Sequence, residues 1–466
     1  MASADAFYVT TPIYYVNDAP HIGHAYTTLA CDTMARFARL DGRPVHFLTG
    51  TDEHGQKVEQ SAKRAGVEPQ DFVDRVSQQF RDLASRMNVS TDDFIRTSEA
   101  RHKEGVQALW RELIKRDQIY LGRYAGWYSV RDETYFSESE LVDGKAPTGA
   151  PVEWVEEPSY FFRLSDWQEP LLKLYEERPD FILPASRRNE VISFVKSGLQ
   201  DLSVSRTSFS WGVPVPNDPH HVVYVWLDAL TNYMTALGYP DTEAEAYRTF
   251  WPADVHVVGK DILRFHAIYW PAFLLAAGLE PPRRVFAHGW WTNEGQKISK
   301  SLGNVIDPIQ LIDTYGLDQT RYFLLREVPF GNDGDFSREA MITRMNRDLA
   351  NDYGNLVQRV LSMIRRNCDG KVPAPGAFTE DDDRLIVAST DMIIRVREEM
   401  AGQALSRALE VVFEVIAAAN RYVDAQAPGA LRKTDPDRMA TVLYVLADVI
   451  RRLALVTQAF LPDASA

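Results

Sequence analysis

Over the first ~120 residues, short apolar runs alternate with longer stretches of helical periodicity, a pattern few architectures satisfy. Phe7–Thr10 reads as a strand and Ile22–Leu40 as a helix closed by Gly42. Residues 45–49 read as a second strand, followed by helical stretches to about Asp117. Strands fed by helices in this order build a parallel, doubly wound sheet of the α/β class. Between about Ile119 and Asp218, aromatics, Pro and Gly become frequent and helical periodicity fades, as in an insertion made of short strands. The alternation resumes with strand-like runs at 222–226, 255–258 and 285–287, so a parallel sheet split by an insertion accounts for both halves. From about Asp307 strands are expected to disappear. Residues 338–367, 381–426 and 442–460 carry apolar positions at helical spacing opposite polar faces, the pattern of an all-helical C-terminal bundle. The expected divisions are therefore 1–118, an insertion at 119–220, the second sheet half at 221–335, and the bundle at 336–466.

Composition sets outer limits. With 466 residues, 45% of them apolar and 11% aromatic, the chain can bury several cores and is not disordered. A net charge of −14 argues against a nucleic-acid partner only on average, because arginines concentrate locally at 187–188, 283–284 and between Arg344 and Arg366. The two cysteines, Cys31 and Cys368, form no Cys-x-x-Cys pair, which excludes a disulfide framework or a cysteine-rich zinc site. No apolar run is long enough to span a membrane, and the segment from Met1 to Tyr15 lacks a basic start and apolar block. A soluble, cytoplasmic protein of a reducing compartment is expected.

Two short motifs carry chemistry. Pro20-His21-Ile22-Gly23-His24 falls where a strand passes into a helix, the place where open parallel sheets bind ligands. A helix N-terminus there offers free N–H groups to phosphate. His21 and His24 share a face of the first turn and can both donate to phosphate oxygens, and Gly23 leaves room for a nucleotide. The same two imidazoles can instead simply cap the helix. Lys297-Ile298-Ser299-Lys300-Ser301, followed by Leu302-Gly303-Asn304, lies in a polar loop after the last strand. Its two lysines can neutralise charge building on a leaving pyrophosphate.

Together, in this order on a split parallel sheet, His21-Ile22-Gly23-His24 and Lys297-Ile298-Ser299-Lys300-Ser301 resemble the two signatures of class I aminoacyl-tRNA synthetases. The resemblance implies a Rossmann-like catalytic domain with a helical anticodon-binding domain. Four further stretches resemble the methionine-specific members. They are Thr11-Pro12-Ile13-Tyr14-Tyr15, Gly50-Thr51-Asp52-Glu53-His54-Gly55, Val225-Trp226-Leu227-Asp228-Ala229-Leu230 and Val258-Gly259-Lys260-Asp261-Ile262-Leu263-Arg264-Phe265-His266. By this resemblance, Asp52 accepts the α-amino group of methionine and Ile13 holds it through its backbone. Tyr15, Trp226, Ala229, Leu230, Tyr233, Ile262 and His266 line the side-chain pocket, with Tyr15 and His266 offering a polar touch to the sulfur. Gly259 and Asp261 face the adenosine ribose, while His21, Gly23, His24, Lys297 and Lys300 bind ATP, which arrives with Mg²⁺.

The insertion of about 100 residues is short for an editing domain of the kind that discriminates small apolar amino acids. Relatives often carry zinc knuckles there. Here Gly126-Trp127-Tyr128-Ser129-Val130-Arg131-Asp132-Glu133 has no cysteine, so the resemblance is to the metal-free subgroup and no zinc is expected. Asp352-Tyr353-Gly354-Asn355-Leu356-Val357-Gln358-Arg359 resembles the anticodon-reading helix of the family. Asn355 and Arg359, four apart and on one face, would read the anticodon of tRNA(Met). Where the family stacks a tryptophan on an anticodon base just after a proline, this sequence has Gly429 after Pro428. A monomer is expected, since the family's additional tRNA-binding domain is absent from the sequence. Three other readings remain open at this level, the nearest being another class I synthetase with a small apolar substrate. A nucleotidyltransferase making a small-molecule adenylate shares His-x-Gly-His but has no use for an anticodon-like helix. A tRNA-binding paralogue without catalysis predicts damage at His21, His24 or Lys300, and those residues are intact.

Overall fold

The computed structural model describes residues 5–17 and 19–466; Met1 to Ala4, the start of the segment read for a leader, lie outside it. The chain divides into two compact units, one of residues 1–20 and 43–288, the other of 21–42 and 289–466.

The first unit is built on a seven-stranded sheet. Its strands are β1 (Phe7–Thr10), β2 (Tyr14–Tyr15), β3 (Val45–Asp52), β4 (Asp93–Arg96), β5 (Ile182–Leu183), β6 (Val255–Gly259) and β7 (Val285–His288). The order is β2-β3-β1-β6-β7-β5, with β4 also paired to β3, and every pairing is parallel. Strands buried on both faces require continuous apolar runs, and Tyr8, Val9, Phe47, Leu48, Val257 and Val258 are all fully buried. The split sheet read from the sequence is therefore present, with two differences. Strand β4 was hidden in a stretch read as helical, because four residues are too few to register a period against their flanking helices. The 222–226 run is not a strand of this sheet. Strand Asp218–Val223 pairs antiparallel in a separate three-stranded sheet, and Trp226 lies in helix Val225–Leu230. A short buried apolar run looks the same whichever element it enters.

Residues 119–220 contain a four-stranded antiparallel sheet in the order Thr134–Phe136, Ile119–Ser129, Glu153–Phe162, Leu202–Ser203. The same span also supplies β5 to the parallel sheet, through Ile182 and Leu183 opposite Val285 and Phe286.

The second unit is mostly helical. Helix Ile22–Leu40 is joined there by Pro308–Tyr315, Leu317–Arg326, Glu380–Ala401, Leu405–Gln426 and Pro436–Thr457. The 381–426 run is two antiparallel helices, because Gly402 and Gln403, the latter at φ 56, reverse the chain within a turn too short to disturb the apolar phase. Residues 338–367 are helical throughout but widen to a π-helical segment at Arg344–Gly354. Strands do not end at Asp307, since Gly334–Phe336 pairs with Trp291–Asn293. Arg321, fully buried, ties the unit together: it donates to Asp32 in helix Ile22–Leu40 at 2.7 Å and to the Phe460 carbonyl at 2.9 Å.

Candidate active site

In the first unit, candidate residues gather at the carboxyl ends of β3 and β6, where an open parallel sheet leaves its crevice. The three consecutive residues Asp52, Glu53 and His54 are all buried, yet each faces a different environment. Glu53 is compensated by Arg96, whose Nε and Nη2 lie 2.7 and 2.9 Å from its two oxygens, and by the Ser98 and Thr51 hydroxyls. His54 Nδ1 sits 2.7 Å from Asp228 Oδ2, and His102 Nε2 sits 2.7 Å from Asp228 Oδ1. Burial alone would raise Asp228, but His54 and His102 outweigh it and bring the group down to about 2, a settled carboxylate. Asp52 is different. Its Oδ1 is buried and accepts no hydrogen bond, and burial, then the neighbouring charges of Asp228, Glu133 and Glu53, push its pKa well up. A buried carboxylate left in this state is suited to a cationic ligand group, whose charge would remove the penalty.

Ile13, Tyr15, Trp226 and Ile262 lie partly buried against one apolar cluster that also contains Leu230 and Tyr233, and Ala229 is buried on the same helix as Trp226. Trp226 stacks face to face on Phe265, with ring centroids 3.8 Å apart. Tyr233 Oη is 2.7 Å from His266 Nε2, and His266 Nδ1 is 3.0 Å from the Ile262 carbonyl. With Nδ1–H donating to that carbonyl, Nε2 accepts the Tyr233 hydroxyl. Burial lowers the His266 pKa to about 4, so the ring stays neutral at pH 7. Both nitrogens are thus engaged, and what His266 offers a ligand is its neutral ring. Gly259 ends β6, and a Cβ there would sit 2.5 Å from Asp261 Oδ1, so glycine lets that carboxylate fold back against the backbone. Asp261 itself is exposed.

In the second unit, His21 caps helix Ile22–Leu40. Its Nδ1 accepts from Gly23 N at 3.0 Å, and His24 Nδ1 accepts from His21 N at 3.0 Å. The capping reading is therefore correct as far as it goes. It also fixes chemistry: a neutral ring accepting through Nδ1 carries its proton on Nε2 as a donor. Burial, then His21, keeps the His24 pKa well below the usual value. The rings stand 3.8 Å apart. A Cβ on Gly23 would lie 2.9 Å from His21 Cε1, so this glycine makes room first for the His21 ring.

Lys297 and Lys300 are both exposed. Lys297 ends a hairpin turned at Glu294 and Gly295, both at positive φ as such a tight turn requires. The following loop is more ordered than its composition suggests. Asn304 donates to the Lys297 carbonyl at 3.0 Å and accepts from Ser299 N at 2.8 Å, while its own carbonyl accepts from Asn293 at 2.8 Å. Asn355 and Arg359 are exposed on helix Asn355–Asn367, with Arg359 3.3 Å from Asp424.

Sequence reasoning gave no role to Asp228, His54, His102, Phe265, Glu133 or Asn304. Asp228, His54, Phe265, Glu133 and Asn304 stand inside stretches already quoted; the partners of Asn304 are near in sequence, while those of the other four are distant. His102 carries no local signal.

Two family models together match most of the chain. One, described as tRNA synthetases class I (M), covers residues 7–151 and 140–361, and one described as the anticodon binding domain of methionyl tRNA ligase covers 372–466. The parallel sheet, the small added sheets and the helical region are the fold of a class I aminoacyl-tRNA synthetase. The methionine–tRNA ligase of Brucella suis is 58% identical over 99% of this chain and 91% of its own length, and that of Rhizobium meliloti 57% identical over 100% and 91%. A structure of the Mycobacterium tuberculosis methionyl-tRNA synthetase in complex with methionyl-adenylate matches with a TM-score of 0.96 at 53% identity, covering 100% of this chain and 92% of that one. The chain belongs to the methionine–tRNA ligase family.

Proposed function

We propose that the chain activates methionine with ATP and transfers it to the 3′ end of tRNA(Met). Family membership carries the reaction; the buried Asp52 carboxylate with its unpartnered Oδ1 is the observation that carries the site. In the first step a methionine carboxylate oxygen attacks the α-phosphorus of ATP, and the bond to the bridging oxygen breaks to release pyrophosphate. In the second, a terminal ribose hydroxyl of tRNA attacks the carbonyl of the mixed anhydride, loses its proton and expels AMP. Neither step needs a protein nucleophile, so the chain's task is positioning and charge stabilisation.

Asp52 and the Ile13 backbone hold the ammonium, while Tyr15, Trp226, Ala229, Leu230, Tyr233, Ile262 and His266 enclose the thioether chain. Such a pocket selects a flexible, weakly polar side chain by shape and S–aromatic contact. Gly259 and Asp261 face the ribose. The Nε2–H groups of His21 and His24, with the Gly23 backbone, bind phosphate oxygens. Lys297 and Lys300 neutralise the departing pyrophosphate, and Mg²⁺ enters as part of the Mg·ATP substrate. Asn355 and Arg359 read anticodon bases from the 336–466 region. The fold is proposed to need no zinc: the 129–132 turn is closed by Ser129 donating to Asp132 at 2.9 Å, with no thiolate in it. Among the described residues no helix is long and apolar enough to cross a membrane. We place the protein in the cytoplasm as a monomer.

ATP–pyrophosphate exchange tests the assignment with methionine, leucine, isoleucine, valine and cysteine supplied separately. Exchange with methionine alone is expected, Asp52→Asn should raise its KM, and Lys300→Ala should slow exchange far more than it weakens methionine binding. Exchange driven by another amino acid, or an Asp52→Asn enzyme with unchanged methionine KM, refutes the site.

A further inference from the structure

Glu133 comes from the turn that follows strand Ile119–Ser129, more than 100 residues from Tyr15 in sequence, yet its side chain is buried beside that tyrosine. The turn is firmly placed. Ser129 and Asp132 bond each other, Thr148 bonds Asp132, and Arg131 reaches the Thr148 carbonyl at 2.8 Å. Glu133 itself sits at φ 50, and its carbonyl accepts from the buried Tyr224 hydroxyl at 3.2 Å. From that position its Oε1 accepts the Tyr15 hydroxyl. The meeting depends on Gly55, at φ 118: a Cβ there would lie 2.5 Å from Glu133 Oε1 and 2.7 Å from Tyr15 Oη. A glycine, a strained turn and a buried acid thus converge on one hydroxyl.

Charge points the same way. The groups facing the Glu133 carboxyl are Tyr15, Lys57 (with its backbone N–H), Arg206, Tyr128 and Asp52. Lys57 Nζ also lies over the Tyr15 ring, 5.6 Å from its centroid. The negative charge of Glu133 is one of those that destabilise the Asp52 carboxylate, so both acids contribute to a field that a single ammonium would relieve.

We propose that Glu133 is a positioning residue for methionine: it holds the Tyr15 phenol in place and, with Asp52, supplies the field that binds the substrate ammonium. The turn of the inserted segment thereby sets amino-acid affinity. This rests on the reading of Asp52 and Tyr15 as amino-acid-binding residues. Burial pushes the Glu133 pKa up to about 7, against the lowering effects of Tyr15, Lys57 and Arg206. The group is therefore charged above pH 7 and neutral below it. Ammonium binding favours the charged form, so methionine affinity rises as pH climbs through about 7 and then levels.

Glu133→Gln keeps an acceptor for Tyr15 but removes the charge. In exchange assays from pH 6 to 8.5, this variant is expected to raise methionine KM about tenfold at pH 8. Its ATP KM should stay near the parent's, and the limb near pH 7 in kcat/KM for methionine should vanish. A residue that only held the fold would alter the melting temperature and leave that limb in place. Should the variant fold poorly, the unmodified enzyme decides: inhibition by methioninol, which keeps the ammonium, should strengthen through pH 7, and inhibition by the des-amino analogue of methionine should not. A persistent limb in Glu133→Gln, an unchanged methionine KM, or equal pH dependence for the two inhibitors overturns the proposal. If Asp52→Asn leaves methionine KM unchanged, the underlying site reading falls instead.

Discussion

Replacing Asp228 with Asn probes the electrostatic construction around the proposed amino-acid site. The carboxylate is fully buried, with His54 and His102 each 2.7 Å from one of its oxygens. Those histidines overcome burial and hold it at about 2 instead of the ordinary 3.8. At roughly 1.4 kcal/mol per pH unit, that depression corresponds to about 2 kcal/mol of stability at neutral pH. Losing a charge from a buried pair typically costs ~3–5 kcal/mol, but Asn preserves volume and one acceptor, so about 3 kcal/mol is expected. The sign follows from the direction of the shift. A lowered folded-state pKa stabilises above the unfolded value of 3.8, and that contribution disappears as pH falls towards 2. The Asp228 contribution to the gap between parent and variant should narrow as pH falls below 4. Urea unfolding followed by tryptophan fluorescence measures it, since Trp226 lies on the same helix as Asp228. That helix also carries Ala229 and Leu230, and His54 is two residues from Asp52, so methionine KM should rise with the loss. A cost below about 1 kcal/mol, or one that does not narrow in acid, would refute the reasoning.

Asn304→Ala removes the two side-chain bonds that tie Lys297 and Ser299 across the lysine loop and should lower kcat for exchange by about tenfold with little change in methionine KM, as expected for groups acting mainly in the transition state; a pure KM effect would contradict this. Ala427 occupies the left-handed region at φ 47, ψ 58 after helix Leu405–Gln426, so Ala427→Gly should stabilise the bundle by about 1 kcal/mol in urea unfolding. Gly429 has open space where a Cβ would go, so Gly429→Trp should fold normally. If the anticodon stacks there as the family resemblance implies, tRNA(Met) binding by filter retention should tighten by ~1–3 kcal/mol; unchanged binding would place the anticodon elsewhere.

The α/β class, the split sheet and the helical region were legible from the sequence because each rests on a period sustained over many residues. The capped helix at His21 was legible too, since capping acts within one turn and needs only His21, Gly23 and His24. Short elements were not: strand Asp93–Arg96, strand Gly334–Phe336 and the reversal at Gly402 are briefer than a reliable period, and the 222–226 run fits strand or helix equally.

The candidate site divides along the same line. The linear motifs drew attention to Asp52, Trp226 and His266, but not to what each meets. Asp52, Glu53 and His54 are neighbours in one motif, yet one is left without a partner at Oδ1, one is neutralised by Arg96 and one is bound to Asp228. His102 and Glu133 reach the site from 126 and 118 residues away in sequence from their partners Asp228 and Tyr15. Chain order sets which residue types are available and the local backbone they ride on. Charge state, desolvation and the partner of each buried polar group depend on distances of a few ångströms between segments remote in sequence, and only the packed structure decides those.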